Sequence, residues 1–214
     1  MARKLLFASG ALLFLALVIG VLLRSVEKVP APGAAADPPM LARFHSPSLG
    51  DANARVHIVE FLDPACETCR RFHPLVKRLM ESHPGRIRLS VRYAPFHKGS
   101  EDIVRLLEAA KRQGRFWQTL EALFAAQPRW VVDHVARLDL AWSAVQGLGL
   151  DLDRVKQDMK APELTQVIRQ DIEDAVKLNV TKTPEFFVNG RPMPRFGYEE
   201  LETLVREALR EAYR

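Results

Sequence analysis

The pattern of hydrophobic and polar positions predicts three strands. Val56 to Leu62 is a β-branched apolar run of strand length, as expected for a buried strand. Ile87 to Tyr93 alternates apolar with polar residues, which is the period of a strand. Strand character returns at Glu185 to Val188, and the Asn189-Gly190 that follows is a strong hairpin signal. Two strands therefore lie in the first half of the chain and a hairpin lies near its end.

Apolar residues at helical spacing occupy most of the remaining length. One helix is predicted from Cys66 to about Met80, with Pro74 inside it, and a final one is centred on Leu201 to Leu209. Between the second and third strands, helical segments are predicted around Ile103 to Ala110, Phe116 to Phe124, Trp130 to Gln146, Asp151 to Lys160 and Glu163 to Leu178. This order predicts an α/β sheet domain with a helical insertion at about residues 100–178.

The first residues differ in character from the rest. Leu5 to Leu23 is an apolar run without a charged residue, long enough to cross a bilayer as a helix and longer than the apolar region of most cleaved signal peptides. We therefore predict a signal anchor, a transmembrane segment over residues 1–28; a cleaved signal peptide is the alternative. Residues 29–44 are rich in proline and alanine and predict a tether, which leaves residues 45–214 as the domain.

Composition narrows the function classes. The 48% hydrophobic content of the 214 residues is enough for a real core. The net charge of +5 is spread along the chain, and no basic stretch is interleaved with aromatic residues. A slightly basic, solvated surface explains this charge, so we expect no nucleic-acid partner.

The two cysteines of the chain stand together as Cys66-Glu67-Thr68-Cys69. A structural disulfide closing so short a loop would stabilise the fold by only about 1.8 kcal/mol. A zinc site needs three or four protein ligands, and only His73 follows closely. At the start of a helix, however, the backbone N–H groups and the helix dipole stabilise a thiolate at Cys66. Cys69 lies one turn later, so the pair suits thiol–disulfide exchange.

Further landmarks surround the pair at specific spacings. A strand leads directly into it, Glu60 precedes Cys66 by six residues, Pro74 follows Cys69 by five, and Thr183-Pro184 introduces the last strand. With the helical insertion and the lead-in His45 to Gly50, these features resemble the DsbA-like branch of the thioredoxin superfamily. The resemblance covers about residues 45–212. It implies a thioredoxin-like fold with a helical insertion, preceded here by the predicted N-terminal transmembrane helix.

The resemblance also implies roles for these residues. Cys66 would attack or receive a disulfide, Cys69 would resolve the mixed disulfide, and a buried Glu60 would relay the proton of Cys69. Thr183 and a cis Pro184 would hold the backbone of a client. No cofactor beyond a redox-active Cys66–Cys69 disulfide, and no metal, is expected. From the residues alone, Glu60 could instead face solvent, although it lies within an apolar run, and Pro184 could be trans.

Two positions depart from the family pattern. The active-site dipeptide is Glu67-Thr68, whereas strongly oxidising DsbA proteins have Pro-His. A carboxylate beside Cys66 should make the disulfide less oxidising, and Arg70 one turn later acts in the opposite direction. Lys182 stands where many relatives have glycine, which would alter the substrate groove.

The chemistry of the pair indicates a compartment and partners. Disulfides persist in oxidising surroundings, so we expect the domain to face the periplasm or the exterior of a bacterial inner membrane. Exported proteins with cysteines would be the clients, a membrane redox protein would reset the active site, and the chain would be a monomer. The direction of electron flow stays open. The alternative function is a non-catalytic module that holds unfolded chains or carries a metal.

Overall fold

The computed structural model describes residues 38–214. In chain order its elements are α1 (Pro38–Leu41), β1 (Ser48–Gly50), β2 (Val56–Leu62), α2 (Glu67–Ser82), β3 (Ile87–Tyr93), α3 (Ser100–Arg112), α4 (Phe116–Trp130), β4 (Val131–Val132), β5 (Val135–Ala136), α5 (Leu138–Val145), α6 (Leu152–Asp158), α7 (Pro162–Lys177), β6 (Glu185–Val188), β7 (Arg191–Pro192) and α8 (Tyr198–Ala212). Both predicted strands of the first half have the bounds that their residue pattern indicates.

The sheet places β2 at its centre. Its five strands run in the order β1-β3-β2-β6-β7, with β2 parallel to β3 and antiparallel to β6. The apolar run of β2 is buried on both faces, as expected for a central strand. In this register Glu60 lies between Val91 of β3 and Phe186 of β6, in the middle of the sheet.

Alternate side chains of β2 enter different cores, because successive residues of a strand point to opposite faces. Ile58 packs with apolar residues of α2 and α8, while Leu62 at the strand end packs with Cys69 and the apolar faces of α3 and α4. Val59 and Phe61 join the core on the other face, beneath Ala175 of α7. The end of β2 therefore meets the helices that lie between β3 and β6 in the chain, where an insertion is predicted.

One predicted helix is wrong in its first part. Helix α4 ends at Trp130, and the two-residue strands β4 and β5 form a hairpin before α5 begins at Leu138. The valines of this stretch are β-branched and favour extended backbone. Asp133 and His134 form the turn with φ angles of 49° and 61°, a region that both residue types enter more readily than most. Local sequence preference therefore outweighed the helical spacing here.

The N-terminal boundary of the packed region precedes residue 45. Leu41 is buried, and Arg43 and His45 reach the buried carboxylates of Asp174 and Asp171 at 2.8 and 2.7 Å. Part of the predicted tether thus packs against α7. The predicted anchor, residues 1–28, lies outside the described residues. Within residues 38–214, no helix combines the length and apolar character needed to cross a bilayer.

Candidate active site

The two cysteines lie where the central strand β2 passes into α2. A turn of Asp63, Pro64 and Ala65 separates them from the strand, and Cys66 is the N-cap residue of the helix. Cys69 follows one turn later. Both are free thiols; Cys66 is 7% exposed and Cys69 is fully buried. Only the first sulfur is therefore near the surface.

The environment of Cys66 favours its thiolate. Its pKa is lowered to about 5, first because the thiol of Cys69 hydrogen-bonds to its sulfur, while burial opposes the shift. The backbone N–H groups of Thr68 and Cys69 add to the effect, as expected at a helix N-terminus. A thiolate near the protein surface is the form that attacks disulfides, and it also leaves readily from them.

The environment of Cys69 has the opposite effect. Burial raises its pKa well above the usual range, and its hydrogen bond to Cys66 and the charge of Glu60 raise it further. Cys69 therefore holds its proton while Cys66 gives its proton up. The two sulfurs of one motif are thus chemically distinct.

Glu60 lies on β2, six residues before Cys66, and is fully buried. Neither carboxyl oxygen has a hydrogen-bond partner among residues 38–214. Burial raises the pKa of Glu60 to about 8, with a further contribution from the charge of Cys66. A buried carboxyl group with such a pKa can hold or release a proton near neutral pH.

The segment before β6 reaches the same place. The Thr183–Pro184 peptide bond is cis, and the carbonyl oxygen of Thr183 accepts a hydrogen bond from the Cys66 thiol at 3.3 Å. The neighbouring Lys182 has its Nζ 5.0 Å from the centroid of the exposed Phe196 ring. The loop that the sequence singled out therefore contacts the sulfur nearer the surface.

The dipeptide between the cysteines faces outward. The carboxylate of Glu67 is exposed and lies 3.4 Å from Arg70, so the two opposing charges noted in the sequence form a pair. The hydroxyl of Thr68 accepts a hydrogen bond from Arg71 at 3.5 Å. In the described part of the chain, no three side chains of His, Cys, Asp or Glu gather in a way that could hold a metal ion.

Sequence reasoning missed two polar residues of this region. Asp63 was only a strand breaker in the sequence, yet its buried carboxylate binds the backbone N–H and the ring of His97 at 2.8 and 2.7 Å. Gln127 of α4 is buried and donates to the carbonyl oxygens of Pro64 and Cys66 at 2.9 and 3.1 Å. No local signal marks Gln127, because its partners lie more than sixty residues away in the chain.

Known proteins resemble the chain in sequence and structure. A family model described as thioredoxin matches residues 44–207. The chain is 31% identical over 166 residues to a Na(+)/H(+) antiporter NhaA of Herminiimonas arsenicoxydans, covering 77% of this chain and 26% of that protein. It spans only 21–26% of the length of the first antiporters that it matches.

Two further relatives are covered more fully. A probable disulfide bond formation protein D of Bacillus anthracis is 27% identical over 161 residues, which are 71% of this chain and 73% of that protein. The crystal structure of a thioredoxin-like oxidoreductase from Silicibacter pomeroyi DSS-3 is 31% identical with a TM-score of 0.71, covering 83% of this chain and 99% of that one. The chain therefore belongs to the thioredoxin family.

Proposed function

We propose that this protein exchanges disulfides with exported client proteins through Cys66 and Cys69, outside the cytoplasm. The observation that carries the proposal is the contrast between the two thiols. Cys66 is near the surface with its pKa lowered to about 5, whereas Cys69 is buried with a raised pKa. An exchange catalyst needs one sulfur that meets the client and a second that is kept away from it.

The reaction divides between the two sulfurs. When the pair is oxidised, a client thiolate attacks Cys66, and the Cys66–Cys69 bond breaks with its electron pair on Cys69. Glu60 supplies the proton that Cys69 then needs, because its carboxyl group is protonated at neutral pH and buried beside the motif. A second client thiolate attacks the mixed disulfide and expels Cys66 as a stable thiolate. The reverse sequence reduces a client.

Client binding is assigned to the loop before β6. Thr183 and Pro184 would present backbone groups to an extended client segment, which would pair as an added strand beside the active site. The contact between the Thr183 carbonyl oxygen and the Cys66 sulfur supports this, since a client held there lies next to the attacking atom. The exposed Glu67 and the half-buried Thr68, which lie between the cysteines, would tune the disulfide rather than bind the client.

The reactive disulfide indicates the cellular compartment in which the domain acts. A reactive disulfide persists in an oxidising environment, so the domain should face the periplasm or the cell exterior. The apolar run Leu5 to Leu23 supports an anchor in the bacterial inner membrane with the N-terminus inside. A membrane redox protein would then restore the active site after each turnover. We propose that the chain acts as a monomer.

The first experiment follows refolding of a reduced secreted protein by the oxidised full chain. Cys66→Ser should abolish catalysis, because no client-facing sulfur remains, and Cys69→Ser should accumulate a mixed disulfide that mass spectrometry detects. Ser143→Ala, an exposed serine on α5, is the matched control and should behave as wild type. Retained activity in Cys66→Ser would overturn the proposal.

The second experiment determines the direction of electron flow. The cysteine pair is titrated against glutathione buffers of known potential. A midpoint between about −120 and −200 mV would place the protein with disulfide-donating or isomerising catalysts, and one near about −270 mV or lower with thioredoxin-like reductases.

A further inference from the structure

A cavity of about 540 Å³ opens beside Cys66. One wall is the active-site turn with Cys66 and Thr68, and the other comes from the helical part of the domain. That second wall carries His97 after β3, Gln127 and the turn residues Asp133 and His134. A client sulfur that reaches Cys66 from this side therefore passes polar side chains, and one of them has an arrangement suited to proton transfer.

The ring of His97 is fixed by Asp63. The Asp63 carboxylate accepts four hydrogen bonds, from the backbone N–H and ring Nδ1 of His97, from the backbone N–H of Ala65 and from the Ser100 hydroxyl. Because a carboxylate only accepts, Nδ1 carries the ring proton. In the neutral ring, Nε2 then carries the lone pair.

His97 lines the cavity, and its second ring nitrogen is free of protein partners in the described part of the chain. No residue in the described range 38–214 hydrogen-bonds to Nε2, and the side chain is 27% exposed. The buried carboxylate behind the ring holds the Nδ1–H group, so Nε2 is the ring nitrogen left to accept a proton. A carboxylate–histidine pair of this kind is the usual arrangement of a general base.

We propose that His97 is a general base that takes the proton of a client thiol as its sulfur attacks Cys66, an inference that rests on the proposed exchange reaction. The client S–H bond breaks and its proton moves to Nε2 of His97. The client sulfur forms a bond to the sulfur of Cys66, and the Cys66–Cys69 bond breaks with its electron pair on Cys69. His97 releases the proton to water after this step. Asp63 acts as its positioning residue.

The pKa of the client thiol sets how much a general base at His97 can raise the rate of attack. An ordinary cysteine has a pKa of about 8.5, so only about 3% of it is thiolate at pH 7. A base that removes the proton at the site can therefore raise the rate by up to about 30-fold. An aryl thiol is already ionised at neutral pH, so His97 can contribute nothing to its attack.

The test compares these two kinds of thiol at pH 7. The oxidised full chain is mixed with a cysteine-containing peptide or with an aryl thiol, and the loss of the Cys66–Cys69 disulfide is followed by acid quenching and mass spectrometry. His97→Asn keeps an N–H donor for Asp63 but has no basic nitrogen; His97→Gln is the second variant if the first does not fold. His83→Asn, at the far end of α2 with its ring on the Leu79 carbonyl oxygen, is the control.

We expect the His97 variants to react about 10-fold or more slowly with the peptide thiol and at the wild-type rate with the aryl thiol. Equal slowing with both thiols would mean that His97 only supports the structure, and no slowing with either would overturn the proposal directly. Failure of the proposed function is distinguishable, because wild type itself would then leave the client peptide unoxidised.

Discussion

The side-chain amide of Gln127 donates a hydrogen bond to the carbonyl oxygen of Cys66, 3.1 Å away. The same amide nitrogen reaches the carbonyl oxygen of Pro64 at 2.9 Å. Through this one buried residue, α4 satisfies two backbone acceptors of the turn that carries the first cysteine. Because buried acceptors without partners are costly, the helical part of the domain helps to set the shape of the active-site turn.

Gln127→Ala should therefore destabilise the fold. The Pro64 carbonyl oxygen would lose the donor that Gln127 provides, and the Cys66 carbonyl oxygen would keep only the backbone N–H of Arg70, at an expected cost of about 1–3 kcal/mol in the free energy of unfolding. Denaturant titration measures this loss. Gln166→Ala on the exposed side of α7 is the control and should change stability by no more than about 0.5 kcal/mol. Equal stability of the two variants would contradict the role assigned to Gln127.

Arg92→Leu should lower the free energy of unfolding more than Gln127→Ala does. The Arg92 side chain is fully buried, with its guanidinium 2.8 Å from Asp171 and 2.6 Å from Asp174. Without this positive charge, the two buried carboxylates are less well neutralised. The expected loss in the free energy of unfolding is about 3–5 kcal/mol. Arg169→Leu removes an exposed side chain of α7 that lies 3.8 Å from Glu173, and it should cost at most about 1 kcal/mol. A loss for Arg92→Leu as small as that of Arg169→Leu would contradict this account.

These buried charges also show which features of β3 the sequence predicts and which it does not. The alternation over Ile87–Tyr93 correctly predicts a strand, because the period of two is a local property. The same alternation is typical of a strand with one solvated face, whereas Ser90 and Arg92 are buried. Pairing with Asp171 and Asp174 makes the burial of Arg92 possible, and those partners lie about eighty residues further along the chain.

The candidate site likewise contains residues that the sequence identifies and residues that only the packing of the fold brings there. The spacing of Cys66 and Cys69 at a strand–helix junction is visible in the sequence, and the family resemblance singles out Glu60 six residues before the pair. His97 and Gln127 come to that junction only through packing of the helical part, so no spacing in the sequence associates them with it. The hairpin between Trp130 and Leu138 was missed because its two-residue strands are too short to produce a period.

The buried carboxyl group of Glu60 should make stability depend on pH. Its folded pKa of about 8 lies above the ordinary value of 4.5, mainly because of burial. Between these values the unfolded chain releases the proton and the folded chain keeps it, so the free energy of unfolding falls as pH rises. The slope approaches about 1.4 kcal/mol per pH unit and vanishes below about pH 4 and above about pH 8.

Comparison of Glu60→Gln with wild type isolates this contribution. Both proteins are unfolded by denaturant in the oxidised form, where Cys66 carries no charge, at several values between pH 5 and pH 8. The variant should gain stability relative to wild type as pH rises. Glu81→Gln, exposed near the end of α2, should run parallel to wild type. Parallel curves for Glu60→Gln as well would show that Glu60 has an ordinary pKa.

The last prediction concerns the thiol of Cys66 in the reduced protein. Alkylation by iodoacetamide should show a midpoint near pH 5, because the reagent attacks only the thiolate and the pKa of Cys66 is lowered to about 5. Cys69→Ala removes the hydrogen bond that is the largest cause of this shift, so the midpoint should move to higher pH. Because the backbone N–H groups at the start of α2 remain, it should stay below the ordinary value of about 8.5. An unchanged midpoint in Cys69→Ala would mean that the helix N-terminus, rather than the second cysteine, stabilises the thiolate.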